Sequence, residues 1–248
     1  MQAERRPRPR ALLAWSSGKD SAWTLNVLRQ QGEVEVVGLL TTFNAAFDRV
    51  AMHAVRRELV EAQARAADLP LIAVPLPWPC SNLAYEQAMH WALDEARTQL
   101  GIARVAFGDL FLEDVRQYRE SRMKEAAIEP LFPLWGLPTH ELARDMLRAG
   151  LRARITCIDP CKLCADFAGR DFNDRFLDDL PEGVDPCGEY GEFHSFATDG
   201  PMFQKPIPVV TGDIVERDGF VFADLMPMKP ESDVGDVGDA NADRVAAA

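Results

Sequence analysis

Ala11-Leu12-Leu13-Ala14-Trp15-Ser16-Ser17-Gly18-Lys19-Asp20-Ser21 is the stretch on which the reading of this chain turns. Ala11–Trp15 is an apolar run long enough for one buried strand, and Ala22–Gln31 places Ala22, Leu25, Val27 and Leu28 near one helical face before Gly32 stops it. Strand, small-residue loop and helix start together build an anion site. The first N–H groups of the helix and its positive dipole end point at one ligand. Gly18 allows close backbone approach, Ser16, Ser17 and Ser21 offer hydroxyls, and Lys19 brings positive charge. Asp20 would repel a phosphate unless a cation such as Mg²⁺ lay between them. The spacing fits neither a Walker A loop nor Gly-x-Gly-x-x-Gly. The plainer alternative is a Ser/Gly turn that caps a helix.

The same alternation continues down the chain. Strand signals at Val34–Thr42, Leu71–Leu76, Arg104–Leu110 and Arg152–Ile158 are separated by helical periodicity at 50–67, 83–100, 115–127 and 139–149, with Thr139 as an N-cap candidate. This predicts an α/β fold: a mostly parallel five-stranded sheet with helices on both faces, Rossmann-like in plan. Ligands in such sheets sit at the carboxyl ends of the strands, which selects Ser16–Ser21 after the first, Thr41–Asn44 after the second, Asp109–Asp114 after the fourth and Cys157–Cys164 after the fifth. From about Phe172 the character changes, through a short helix over 172–180 to a Gly/Pro-rich loop and a hairpin signalled by Asp218-Gly219. The expected organisation is a basic arm over 1–10, a nucleotide-binding domain over 11–170, a small β-containing element over 171–228 on the substrate side, and an acidic tail over 229–248. Composition reads both ends as disordered.

With 248 residues the chain can bury a sizeable core, and its net charge of −12 argues against a nucleic-acid surface. No apolar run is long enough for a membrane span, so a cytoplasmic protein is expected. Five cysteines, an odd number, argue against a disulfide framework. Two further blocks carry chemistry. Phe107-Gly108-Asp109 ends a strand and leads through Glu113 and Asp114 to Arg116, Arg119 and Arg122 at three-residue spacing. Asp109 and Arg116 are the candidates there. Asp185-Pro186-Cys187-Gly188-Glu189-Tyr190-Gly191-Glu192-Phe193-His194-Ser195 gathers acids, a thiol and an imidazole around two glycines.

Ser16–Ser21 resembles the Ser-Gly-Gly-x-Asp-Ser loop of the PP-loop ATP pyrophosphatases, within the adenine-nucleotide α-hydrolase superfamily. With Gly108–Arg122, Pro133-Leu134-Trp135 and Gly188–Ser195 added, residues 11–225 resemble the diphthine–ammonia ligase family and its short bacterial relatives. Ser17 stands where that family more often has glycine, Tyr190 where it has a small residue, and Ser195 where it has threonine. The resemblance implies ATP and Mg²⁺ as cofactors and cleavage to AMP and pyrophosphate. It implies adenylation of a carboxylate on an unidentified acceptor, and displacement of AMP by ammonia. It assigns nucleotide binding to Ser16, Ser17, Gly18, Lys19, Ser21, Thr41 and Gly108, and catalysis to Lys19, Asp20, Asp109 and Glu192, with Asp20 at the Mg²⁺. Arg116, Glu189, Glu192 and His194 fall to the substrates. A homodimer is left open.

Two other readings stand beside it. Cys157-x-x-x-Cys161-x-x-Cys164 has spacing that suits zinc, an iron–sulfur cluster or a persulfide relay at Cys161 and Cys164, as in PP-loop enzymes that thiolate tRNA. The plainer reading makes Cys157 a small strand-end hydrophobe and the pair incidental. A sensor that binds ATP without turning it over is the third reading. The density of acids at Asp109 and Glu189–Glu192 argues against it.

Overall fold

Strand β1 (Arg10–Ala14) buries Ala11, Leu12 and Leu13 completely. A strand covered on both faces belongs inside a parallel sheet flanked by helices. It lies there in the computed structural model, which describes residues 7–50 and 54–228. After it come α1 (Lys19–Gln31), β2 (Glu35–Asn44), β3 (Arg49–Val50), α2 (Arg57–Ala67), β4 (Leu71–Leu76), α3 (Asn82–Leu100), β5 (Arg104–Ala106) and α4 (Glu113–Glu125). The chain continues through β6 (Glu129–Leu131), α5 (Thr139–Arg148), β7 (Arg152–Ile158), β8 (Asp171–Phe172), α6 (Asp174–Asp178), β9 (Phe193–Asp199), β10 (Val209–Arg217) and β11 (Phe220–Pro227).

The main sheet has six strands, in the order β3-β2-β1-β5-β6 with β4 also on β2. All its pairings are parallel except that of the two-residue β3. Side chains alternate across β1, so Leu12 enters one core with Ala92, Leu93 and Met123 from α3 and α4. Ala11 and Leu13 enter the other, with Leu25 and Leu28 of α1 and Leu59 and Val60 of α2. Helices therefore cover both faces, and the α/β reading is borne out.

The expected fifth strand corrects the topology. Arg152–Ile158 is a strand, but β7 sits in a second, antiparallel sheet of order β10-β11-β7-β8, with β9 also paired to β7. An apolar run does not reveal whether its neighbours are parallel. The outer place in the main sheet goes to β6, Glu-Pro-Leu, where Pro130 is tolerated at an edge. Thr139 is not the cap of α5: Pro138 holds that position, and no side chain caps the helix. The Asp218-Gly219 turn is present, with φ of +53° and +81° joining β10 to β11. Of the basic arm, Arg10 opens β1 and donates to the Leu100 carbonyl at 2.9 Å. Residues 1–6 and the tail at 229–248 lie outside the described residues. No helix among the described residues is long and apolar enough to cross a membrane.

One buried amide joins the two sheets. Gln63 of α2 accepts from Trp15 Nε1 at 2.8 Å and donates from Nε2 to the carbonyls of Ser17 at 3.0 Å and Ala197 at 2.7 Å. Gln63→Leu keeps the volume but leaves a buried donor and two acceptors without this partner. A loss of about 3 kcal/mol is expected in urea denaturation, seen as a lower midpoint at unchanged slope. A loss under about 0.5 kcal/mol would show that Gln63 does not join the sheets.

Candidate active site

A cleft of about 490 Å³ opens at the carboxyl ends of β1, β2 and β5. Its floor is the first loop, where Ser16, Gly18, Lys19, Asp20 and Ser21 line it. Ser17 has φ of +71°, a left-handed conformation that costs a non-glycine residue about 1–2 kcal/mol. That conformation favours glycine, and serine adopts it here. Gly18 is the N-cap of α1, and Ser21 Oγ donates back to its carbonyl at 3.0 Å. Of the first-turn N–H groups of α1, that of Lys19 is taken by Ser195 Oγ, and the rest have no partners inside the helix, the arrangement that suits an anion. Gly108 is favoured by proximity, since a Cβ there would lie a tight 3.1 Å from the Asp20 carbonyl carbon and 3.2 Å from the Ser21 nitrogen.

Lys19 is buried, with 2% exposure. Its Nζ donates to Asp20 at 2.9 and 3.1 Å and to the carbonyl of Cys187. It lies 5.2 Å from the Phe193 ring centroid and 5.6 Å from that of Phe172. Burial works against its charge, yet Asp20 and the other negative groups around it hold the ammonium above the ordinary lysine value.

The glycine-rich block of residues 185–195 docks on this loop from the second sheet. Ser195 Oγ accepts from Lys19 N at 3.2 Å, and Ala197 N donates to the Ser17 carbonyl at 2.9 Å. Within the block, Asp185 accepts from Glu189 N at 2.9 Å, and Glu192 accepts from Asp185 N at 3.0 Å. Gly188 has φ of +72° and no room for a Cβ, which would meet the Phe193 carbonyl at 2.8 Å. Glu189 reaches into the cleft and accepts from Leu110 N at 2.8 Å and Phe111 N at 3.4 Å. Burial pushes its carboxyl up to about 7 against those two bonds, aided by the charges of Asp20 and Asp109. His194 also lines the cleft, and burial, with Lys19 and Lys162, pushes it down to about 4, so it is neutral at pH 7. Tyr190, exposed, packs edge-on against Phe111 with centroids 5.1 Å apart and ties the block to the loop after β5.

The cleft thus gathers Ser16, Gly18, Lys19, Asp20, Ser21, Gly108, Asp109, Glu189 and His194. The remaining candidates lie elsewhere. Thr41 turns back to donate to the Trp15 carbonyl at 2.8 Å, and its neighbour Thr42 lines the cleft instead. Residue parity along a strand decides this, and a one-residue choice reverses it. Ser17 contributes backbone, while its hydroxyl is buried with no hydrogen-bond partner among the described residues. Glu192 is buried under the block that it braces, outside the cleft lining. Arg116 pairs with Glu120 at 2.8 Å and stacks on Phe132 and Trp135 at 4.9 and 4.6 Å. Arg119, one helical turn on, faces the cleft and grips Asp109. The three-residue arginine spacing contained it, but only the docking angle of α4 selects which arginine points inward.

The cysteines are all free thiols. Cys161 and Cys164 are exposed on the loop after β7, away from the cleft lining, and Cys157 is buried, its thiol pushed up to about 12 by burial. Among the described residues no group of three or more His, Cys, Asp or Glu side chains is placed to hold a metal ion.

Residues 138–224, from the start of α5 into β11, match the family described as Diphthamide synthase C-terminal domain. The match takes in the whole 185–195 block. Diphthine–ammonia ligase of Homo sapiens is 31% identical over 118 residues, covering 45% of this chain and 44% of that protein. The Danio rerio protein of the same name is 24% identical over 227 residues, 84% of this chain and 89% of the relative. That of Schizosaccharomyces pombe is 24% identical over 220 residues, 82% of this chain and 36% of the relative. The alignments thus span less than half of the human and fission-yeast proteins. Sequence block, docked loop and relatives agree, and the chain is similar to the diphthine–ammonia ligases.

Proposed function

We propose that the protein is an ATP-dependent ligase that activates a carboxylate as its adenylate and passes it to ammonia. The observation that carries this is the docking of the 185–195 block on the first loop, which puts Lys19, Asp20, Asp109 and Glu189 around one cleft. ATP lies with its phosphates on Ser16–Ser21, held by the N–H groups of α1 and by Lys19. An acceptor carboxylate oxygen attacks the α-phosphorus, the bond to the β-phosphate breaks, and pyrophosphate leaves. Ammonia then attacks the acyl carbon, the bond to AMP breaks, and the surplus proton passes to Glu189. A carboxylate that ionises near neutrality is suited to that transfer. His194, neutral, adds no repulsion to an ammonium entering the cleft.

The donor set fits magnesium held mainly by the phosphates. Asp20 supplies one hard carboxylate at the loop, the kind of protein contribution that Mg²⁺ takes beside nucleotide oxygens and water. Bound there, the ion would offset phosphate charge as pyrophosphate departs. The exposed Cys161 and Cys164 lie outside the cleft lining, which favours the ligase over a thiolation reading.

The first test is ³¹P NMR of the protein with Mg·ATP, ammonium and a clarified cell extract as the acceptor source. AMP and pyrophosphate are expected, raised by the extract. Asp20→Asn should lower the rate at least about 100-fold while far-UV circular dichroism stays unchanged. ADP with phosphate, or ATP binding without turnover, would refute the ligase reading. Glu189 carries a second prediction, independent of activity. Its carboxyl is raised in the folded state, so the stability it confers is full below about 4.5 and is lost as pH rises towards 7. Glu189→Gln should therefore gain more in melting temperature over the parent protein at pH 8 than at pH 5. An equal gain at both values would mean that Glu189 is not held protonated by its surroundings.

A further inference from the structure

α3 is 19 residues long, yet only Ala92, Leu93 and Ala96 of it are buried. Its first half carries Leu83, Tyr85, Met89 and Trp91, with Leu83 64% and Trp91 65% exposed. Facing it, α4 buries Met123 alone and leaves Tyr118 exposed. Between these helices runs a groove of about 420 Å³, within the range of small-molecule sites. Exposed aromatic and aliphatic side chains clustered around a concavity mark binding surfaces.

The groove adjoins the cleft. Tyr85, Met89, Leu93, Phe107, Arg119 and Met123 line both. Arg119 is the charged member of that shared wall. Asp109 holds its guanidinium 4.6 Å from the Phe107 ring, directly beside the Gly108–Asp109 edge of the cleft. Farther along α4, Arg122 pairs with Glu86 at 3.3 Å and Glu125 at 3.1 Å. Those charges are paired with one another, although Arg122 Nε has no hydrogen-bond partner among the described residues, and the rest of the lining is mainly aromatic and aliphatic.

We infer that the groove between α3 and α4 is the acceptor subsite and that the acceptor is a carboxylic acid on an apolar ring or chain. The apolar body fills the groove, and the carboxylate rests at Arg119, next to the place the α-phosphate would occupy. This rests on the carboxylate-activating reading of the cleft. The same chemistry suits a free small acid or an acid displayed on a macromolecule.

The probe is 4-phenylbutyrate, titrated calorimetrically into the full chain with a non-hydrolysable ATP analogue present. Acetate and 4-phenylbutylamine are the controls for body and charge. The acid should bind at least about tenfold tighter than either control. The double variant Leu83→Ser/Trp91→Ser, at two exposed positions outside the cleft lining, should remove that preference. Affinity for the analogue reports that the variant is folded. Equal weak binding of all three compounds, or a preference that survives in the variant, would overturn the inference. ATP–pyrophosphate exchange separates it from the reading beneath it. Binding in the groove without exchange would leave an apolar-acid site and remove its acceptor role. Extract-driven AMP formation unaffected by the variant would keep the ligase and place the acceptor elsewhere. Exchange raised by the filtrate of an extract marks a free acid, and by the retentate a macromolecular one.

Discussion

A buried lysine ammonium sets the conditions for the rest of the cleft. Removing such a charge from water costs several kcal/mol unless its donors are met. Lys19 meets them with a carboxylate next in sequence and with the carbonyl of Cys187, 168 positions away. The second partner exists only when the 185–195 block is docked. Ser195 and Ala197 bond the same loop, and Gln63 closes the arrangement from α2. The first loop and the second sheet are therefore one cooperative unit. That explains why Ser17 can hold a positive φ: the surrounding bonds over-determine its backbone.

Much of this was legible because it is local. The first loop, Gly108 and the Asp-Gly hairpin each depend on backbone demands that a few neighbouring residues reveal. The α/β class followed from alternation alone. What the sequence concealed is long-range. β7 has the apolar run of an inner parallel strand and instead centres an antiparallel sheet, because partner direction leaves no mark on such a run. Thr41 and Thr42 are separated by strand parity, and Arg116 and Arg119 by the angle at which α4 meets the sheet. Glu192 and Glu189 are equally acidic in sequence, yet one braces the loop and the other enters the cleft.

Electrostatics ties these parts to the proposed chemistry. Each cation in the cleft is already engaged, Lys19 by Asp20 and Arg119 by Asp109. Glu189 adds a third carboxylate whose ionisation is disfavoured by the other two. The resting cleft is thus balanced, or negative when Glu189 ionises, within a chain of net charge −12. A bare polyphosphate gains little from such a field. On the proposed reading, a nucleotide whose charge is offset by a divalent cation would fit it better, with Asp20 towards the cation and Lys19 towards the phosphate. The Lys19–Asp20 pair thus sets one positive and one negative group side by side at the loop, a charge pattern complementary to both halves of such a nucleotide. The carbonyl of Cys187 holds the ammonium at that place from the second sheet.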